Sequence, residues 1–64
     1  MPQHTKLYRL KQVLELTGLS RSSLYSLIKT GQFPEQINIG LRAVAWRAGD
    51  VIDWIDSRIR ISQV

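Results

Sequence analysis

The chain has 64 residues, a net charge of +4, no cysteine and 44% hydrophobic residues. A chain this short forms one domain that buries only about 60% of the surface its unfolded form exposes, which leaves no room for a deep substrate cavity beside a core. The lack of cysteine excludes a disulfide framework and a thiolate metal site, so the fold closes on apolar packing alone, as the reducing cytoplasm permits, and a cytoplasmic protein is expected. No apolar run is long enough for a membrane span, and the opening "MPQHTKLYRL" lacks the apolar stretch of a signal peptide.

The charge is unevenly placed. Through Arg47, seven Lys and Arg residues stand against Glu15 and Glu35, a net of +5, whereas beyond it Arg58 and Arg60 stand against Asp50, Asp53 and Asp56, a net of −1. The first three quarters of the chain therefore suit a polyanionic partner, the plain alternative being a basic domain that is merely soluble.

One unit is expected over residues 1–64, ordered from about 7 to 60, with frayed ends at Met1 to Thr5 and Ile61 to Val64 that remove His4 from consideration as a ligand or base. "LYRL" suits a short extended lead-in. Lys11 to Thr17 reads as two helical turns with Val13, Leu14 and Thr17 inward, stopped by Gly18, which supplies a left-handed backbone. Leu19 plugs the corner, and Ser20 caps a second helix from Arg21 to about Thr30, ended by Gly31 with Pro34 beyond it. On this helix Leu24, Leu27 and Ile28 gather on one side, and Ser22, Tyr25, Ser26 and Lys29 on the other.

At "QINIGLRAVAWR" the period changes from 3.6 to 2, predicting a β-hairpin with Ile37, Ile39, Val44 and Trp46 inward and Arg42 near its tip. Ala48 to Ile59 then forms an amphipathic helix with Val51, Ile52, Trp54, Ile55 and Ile59 on one stripe and Asp50 in its first turn, where a negative charge suits the helix dipole. The predicted fold class is mainly α with a small β-hairpin: a winged helix-turn-helix of three helices plus a two-stranded wing, the last helix closing the core.

Such a motif lays its second helix in the major groove of DNA. The outer face from Arg21 to Lys29 has the residue types for that task. Arg21 and Lys29 can neutralise phosphates, and arginine can take guanine O6 and N7 together. Ser22, Ser23 and Ser26 let the backbone approach closely, while Tyr25 offers a hydroxyl and a flat ring. Each has a plainer use: Tyr25 can lean on the Gln32 to Glu35 link, serines can cap, Lys29 can complement the helix end, and Arg42 can be an ordinary turn residue. Trp46 and Trp54 read as core.

"RLKQVLELTGLSRSSLYSLIKTGQFP", followed by "INIGLRAVAW" and "DVIDWI", resembles the AlpA family of small phage and mobile-element DNA-binding regulators, relatives of excisionases and of the MerR-type winged helix. The resemblance spans about Leu7 to Arg58. It implies a transcription regulator or recombination directionality factor whose partner is double-stranded DNA, with Arg21, Ser22, Ser23, Tyr25, Ser26 and Lys29 in the recognition helix and Arg42 as the wing contact. Ser26 stands where many relatives carry a basic residue, "QINI" lacks a lysine often found there, and Ala48-Gly49 replaces a polar helix cap.

The alternative class is a protein-interaction module that offers Ile52, Ile55 and Ile59 to an integrase or other recombinase, with DNA binding minor. A membrane-surface helix is disfavoured by the aspartates on the last helix, and an enzyme by the lack of an opposed acid-base or nucleophilic set. No cofactor, metal or small-molecule substrate is expected, and the small interface calls for a dimer or tandem copies on DNA.

Overall fold

A computed structural model describes residues 6–62. Strand β1 (Leu7–Tyr8) leads into helix α1 (Leu10–Thr17), then α2 (Arg21–Lys29), strands β2 (Ile37–Gly40) and β3 (Ala43–Arg47), and α3 (Ala48–Ser62). Met1 to Thr5, with His4, and Gln63 to Val64 lie outside the described residues.

Local chemistry accounts for the helix boundaries. The Arg9 amide donates to Gln12 Oε1 at 2.9 Å, closing the first turn of α1. At the other end Gly18, with φ of 73°, sends its amide to the Leu14 carbonyl at 2.8 Å, a left-handed stop that a β-carbon would resist. The helix α2 ends in a Schellman pair, in which the Gly31 amide reaches the Ile28 carbonyl (3.1 Å) and the Gln32 amide the Leu27 carbonyl (2.8 Å). The α3 start has no polar side chain to cap it, and the Ala48 amide instead donates to the Lys6 carbonyl at 2.9 Å. Backbone just before β1 thus satisfies the first amide of a helix that begins directly with Ala48-Gly49.

The hairpin belongs to a larger sheet. β3 is the central strand of an antiparallel three-stranded sheet in the order β1-β3-β2, with Leu7 opposite Arg47 and Tyr8 opposite Trp46. The lead-in that sequence suggests as merely extended is therefore paired, and the two-stranded wing gains a third strand. Along β2, Ile37 faces Ala45 and Asn38 faces Val44, but the register then slips so that Gly40 faces Ala43. Ile39 is the extra residue of this bulge, which breaks the alternation of period two: Ile37 is half-buried, yet Ile39 is 44% exposed rather than inward.

Val13, Leu24, Phe33, Trp46 and Val51 form the buried cluster, one residue from each helix plus the loop and the central strand. Leu14, Leu19, Leu27, Ile28, Val44, Trp54 and Ile55 pack against it while partly exposed. Ala45 and Ala48 are buried as well. Two expectations for α3 change. Ile52 and Ile59 are about half exposed, because a stripe of five apolar positions is wider than this small core can cover, and the helix continues through Ile61 to Ser62 instead of fraying.

Candidate nucleic-acid interface

The α2 helix opens with a side-chain cap. Ser20 Oγ accepts from the Ser23 amide at 3.1 Å, and the Ser20 and Ser23 hydroxyls lie 3.0 Å apart. Ser20 therefore holds the first turn and Ser23 shares that work, and Arg21, Ser22, Ser23, Ser26 and Lys29 are all exposed. At the far end Thr30 Oγ1 donates to the carbonyls of Ser26 and Leu27, both at 3.2 Å, so Lys29 sits on a closed helix end.

Tyr25 is half-buried on the outer side of α2. With Ile28 and Lys29 it lines an open groove of about 470 Å³, whose other wall is Glu35, Gln36 and Asn38. The outer face of α2 and the first strand of the hairpin therefore border one groove. Sequence reading pairs Tyr25 only with the loop after α2; the placement of Gln36 and Asn38 beside it depends on a strand register that no local pattern encodes.

The loop between α2 and β2 is tied down by two indoles. Trp46 Nε1 donates to the Pro34 carbonyl at 3.1 Å and Trp54 Nε1 to the Gln32 carbonyl at 2.7 Å. Phe33, between these anchors, meets Trp54 edge to face with ring centroids 4.9 Å apart. The Arg58 guanidinium lies 4.9 Å from the Trp54 ring centre, with Nη2 3.5 Å from the Gln32 carbonyl. Arg9 is also engaged internally, its Nε donating to the Val44 carbonyl at 3.0 Å. These two arginines brace the fold. Arg9, Arg58, Arg21, Lys29 and Arg42 are all exposed, but among the described residues Arg21, Lys29 and Arg42 make no comparable side-chain hydrogen bond or ring contact.

At the hairpin tip, Leu41 and Arg42 link the paired Gly40 and Ala43, and the Arg42 amide donates to the Gly40 carbonyl at 3.0 Å. Arg42 has a φ of 107°, the one positive φ at a non-glycine position among the described residues. This left-handed region favours glycine, so the arginine is held there at a conformational cost.

Residues 6–59 match the sequence family described as prophage CP4-57 regulatory protein (AlpA). The chain belongs to the AlpA family. It is thus a member of a regulatory protein family and not of an enzyme family. It is also similar to the uncharacterized protein ORF88 of Enterobacteria phage P4, with 45% identity over 51 residues, covering 80% of this chain and 58% of that protein. The chain therefore spans little more than half the length of that relative. The AlpA match reaches every described element, and only the last residues of α3 extend past it. No helix among the described residues of this AlpA-family chain is long and apolar enough to cross a membrane.

Proposed function

We propose that this AlpA-family protein is a sequence-specific double-stranded DNA-binding regulator of a prophage or integrative element, acting on transcription, on recombination directionality as an excisionase, or on both. The observation that carries the proposal is the shared groove: Tyr25 and Lys29 of α2 face Asn38 of β2 across it, so that helix and hairpin border one surface. In this reading α2 enters the major groove. Arg21 and Lys29 meet phosphates or guanine, Ser22, Ser23 and Ser26 allow close backbone approach, Tyr25 contacts sugar or a thymine methyl, and Arg42 reaches the flanking backbone or minor groove. The net of +5 through Arg47 suits a polyanionic partner, while the groove lining itself holds one cation, Lys29, and one anion, Glu35, so the attraction would come from Arg21, Lys29 and Arg42 in and around it.

The second reading is a docking module for an integrase, favoured by the exposure of Ile52 (45%) and Ile59 (49%) on α3. Fluorescence anisotropy with a duplex recovered by the protein from a randomised pool, repeated over a salt series, decides between them. Tight binding whose logarithm falls linearly with the logarithm of salt concentration supports DNA recognition. Failure to enrich any duplex favours the docking module.

A further inference from the structure

We propose that Leu41 is an apolar wedge that enters the DNA minor groove beside the site held by α2 and partly unstacks one base step. This rests on the DNA-binding reading above and adds to it a deformation of the duplex.

Leu41 is 91% exposed, far more than any other exposed large hydrophobic residue described, the next being Ile61 at 63%. Exposure of a single leucine is ordinary in itself. Its position is what carries weight. A hairpin-loop place with a positive φ is normally filled by glycine, asparagine or aspartate, yet here it holds Arg42, while Leu41 fills the other loop place at an ordinary φ. Arg42 bears a positive φ to occupy its place. Turn formation disfavours arginine at that φ and has no need of a leucine beside it, and together they give a tip that exposes an apolar side chain next in sequence to a cation.

That pairing matches the minor groove better than the outer face of a phosphate. An arginine is drawn into a narrow minor groove by its negative potential, whereas leucine gains nothing from phosphate and gains apolar contact only between base planes or along sugar walls. Ile39, exposed at the bulge two residues before Leu41, extends the apolar surface behind the tip. The tip is also fixed in place. The Gly40 and Ala43 pairing and the 3.0 Å bond from the Arg42 amide to the Gly40 carbonyl close it, and β3 runs from it directly to the buried Trp46. A wedge must be stiff, because a loose loop would fold back instead of prying stacked bases apart.

The test uses the full chain and the duplex recovered from a randomised pool, with 2-aminopurine placed singly at successive flanking positions and a fluorophore pair on the duplex ends. The expected result is a rise in 2-aminopurine fluorescence at one step on the hairpin side, together with shortening of the end-to-end distance. Both are lost in Leu41→Ala and kept in Leu41→Met, while the melting temperature of Leu41→Ala stays at the parent value. If the parent binds the duplex without a fluorescence rise at any step, or if Leu41→Ala retains the rise, the wedge is overturned and DNA binding by α2 stands. If no duplex is enriched, the wedge falls together with the DNA-binding reading. A Leu41→Ala variant that keeps the rise and loses self-association in sedimentation overturns the wedge in favour of contact between copies.

Discussion

The indole N–H of Trp46 reaches the Pro34 carbonyl at 3.1 Å, joining the central strand of the sheet to the loop that leaves α2. Trp46 is wholly buried in the cluster with Val13, Leu24, Phe33 and Val51, so one side chain both fills the core and fixes the hairpin against the helix pair. Trp46→Ala should remove about 3–5 kcal/mol, enough to abolish cooperative folding of a domain whose total stability lies near the low end of the usual range of about 5–15 kcal/mol. Trp46→Phe, which keeps most of the bulk but leaves the carbonyl unpaired, should cost about 1–3 kcal/mol and retain a lowered melting transition. Circular dichroism melts of both variants check the ordering.

Ser20 provides a milder test of local structure. Replacing it with alanine removes the acceptor for the Ser23 amide and should lower stability by about 1 kcal/mol while leaving the transition cooperative. An unchanged melting temperature would mean that solvent caps α2 equally well.

The hairpin tip separates stability from recognition. Arg42→Ala keeps a β-carbon at a φ of 107° and should alter stability by no more than about 0.5 kcal/mol. Arg42→Gly relieves the left-handed backbone and should stabilise the fold by up to about 1 kcal/mol. Both substitutions remove the cation, so both should weaken duplex binding. A glycine variant that is more stable and binds DNA less tightly is the expected signature of a residue retained for function against local preference.

Much of this arrangement is legible in the residue order because it is decided locally. Gly18, Ser20 and Gly31 act within one turn of chain, and each ends or starts a helix as its chemistry dictates. The hairpin is legible for the same reason. What is not legible depends on partners far along the chain. Leu7 and Tyr8 become a strand only because Arg47 and Trp46 lie beside them, and a two-residue segment has no periodicity to announce this. The bulge at Ile39 reverses the expected side for that residue, since one inserted position flips everything beyond it. Phe33 sits in a loop between turn-forming residues, and its burial follows from the two tryptophans that hold its neighbours. Among the candidate contact residues, the exposure of Arg21, Ser22, Ser26, Lys29 and Arg42 is readable from helical and hairpin geometry, whereas the opposite wall of the groove, with Gln36 and Asn38, is not.

On the face of α2, the proposed roles lead to different losses. Tyr25→Ala and Ser22→Ala should weaken binding to the selected duplex and leave weak binding to random duplex nearly unchanged. Lys29→Ala should weaken both and reduce the slope of log K against log salt by about one unit if it neutralises one phosphate. Equal losses on both duplexes for Tyr25→Ala would make the ring a positioning contact and not a reader of sequence.

Whether α2 and the hairpin tip together form the DNA-facing surface, leaving the exposed isoleucines of α3 free, is decided by amide chemical-shift mapping during titration with the selected duplex. A shared surface requires the largest shifts on Arg21 to Lys29, on Gln36 to Asn38 and on Gly40 to Arg42, with Ile52, Ile59 and Ile61 nearly unmoved. Shifts concentrated on Ile52, Ile59 and Ile61, with α2 and the tip unaffected, would move the interface to α3 and overturn the proposed function.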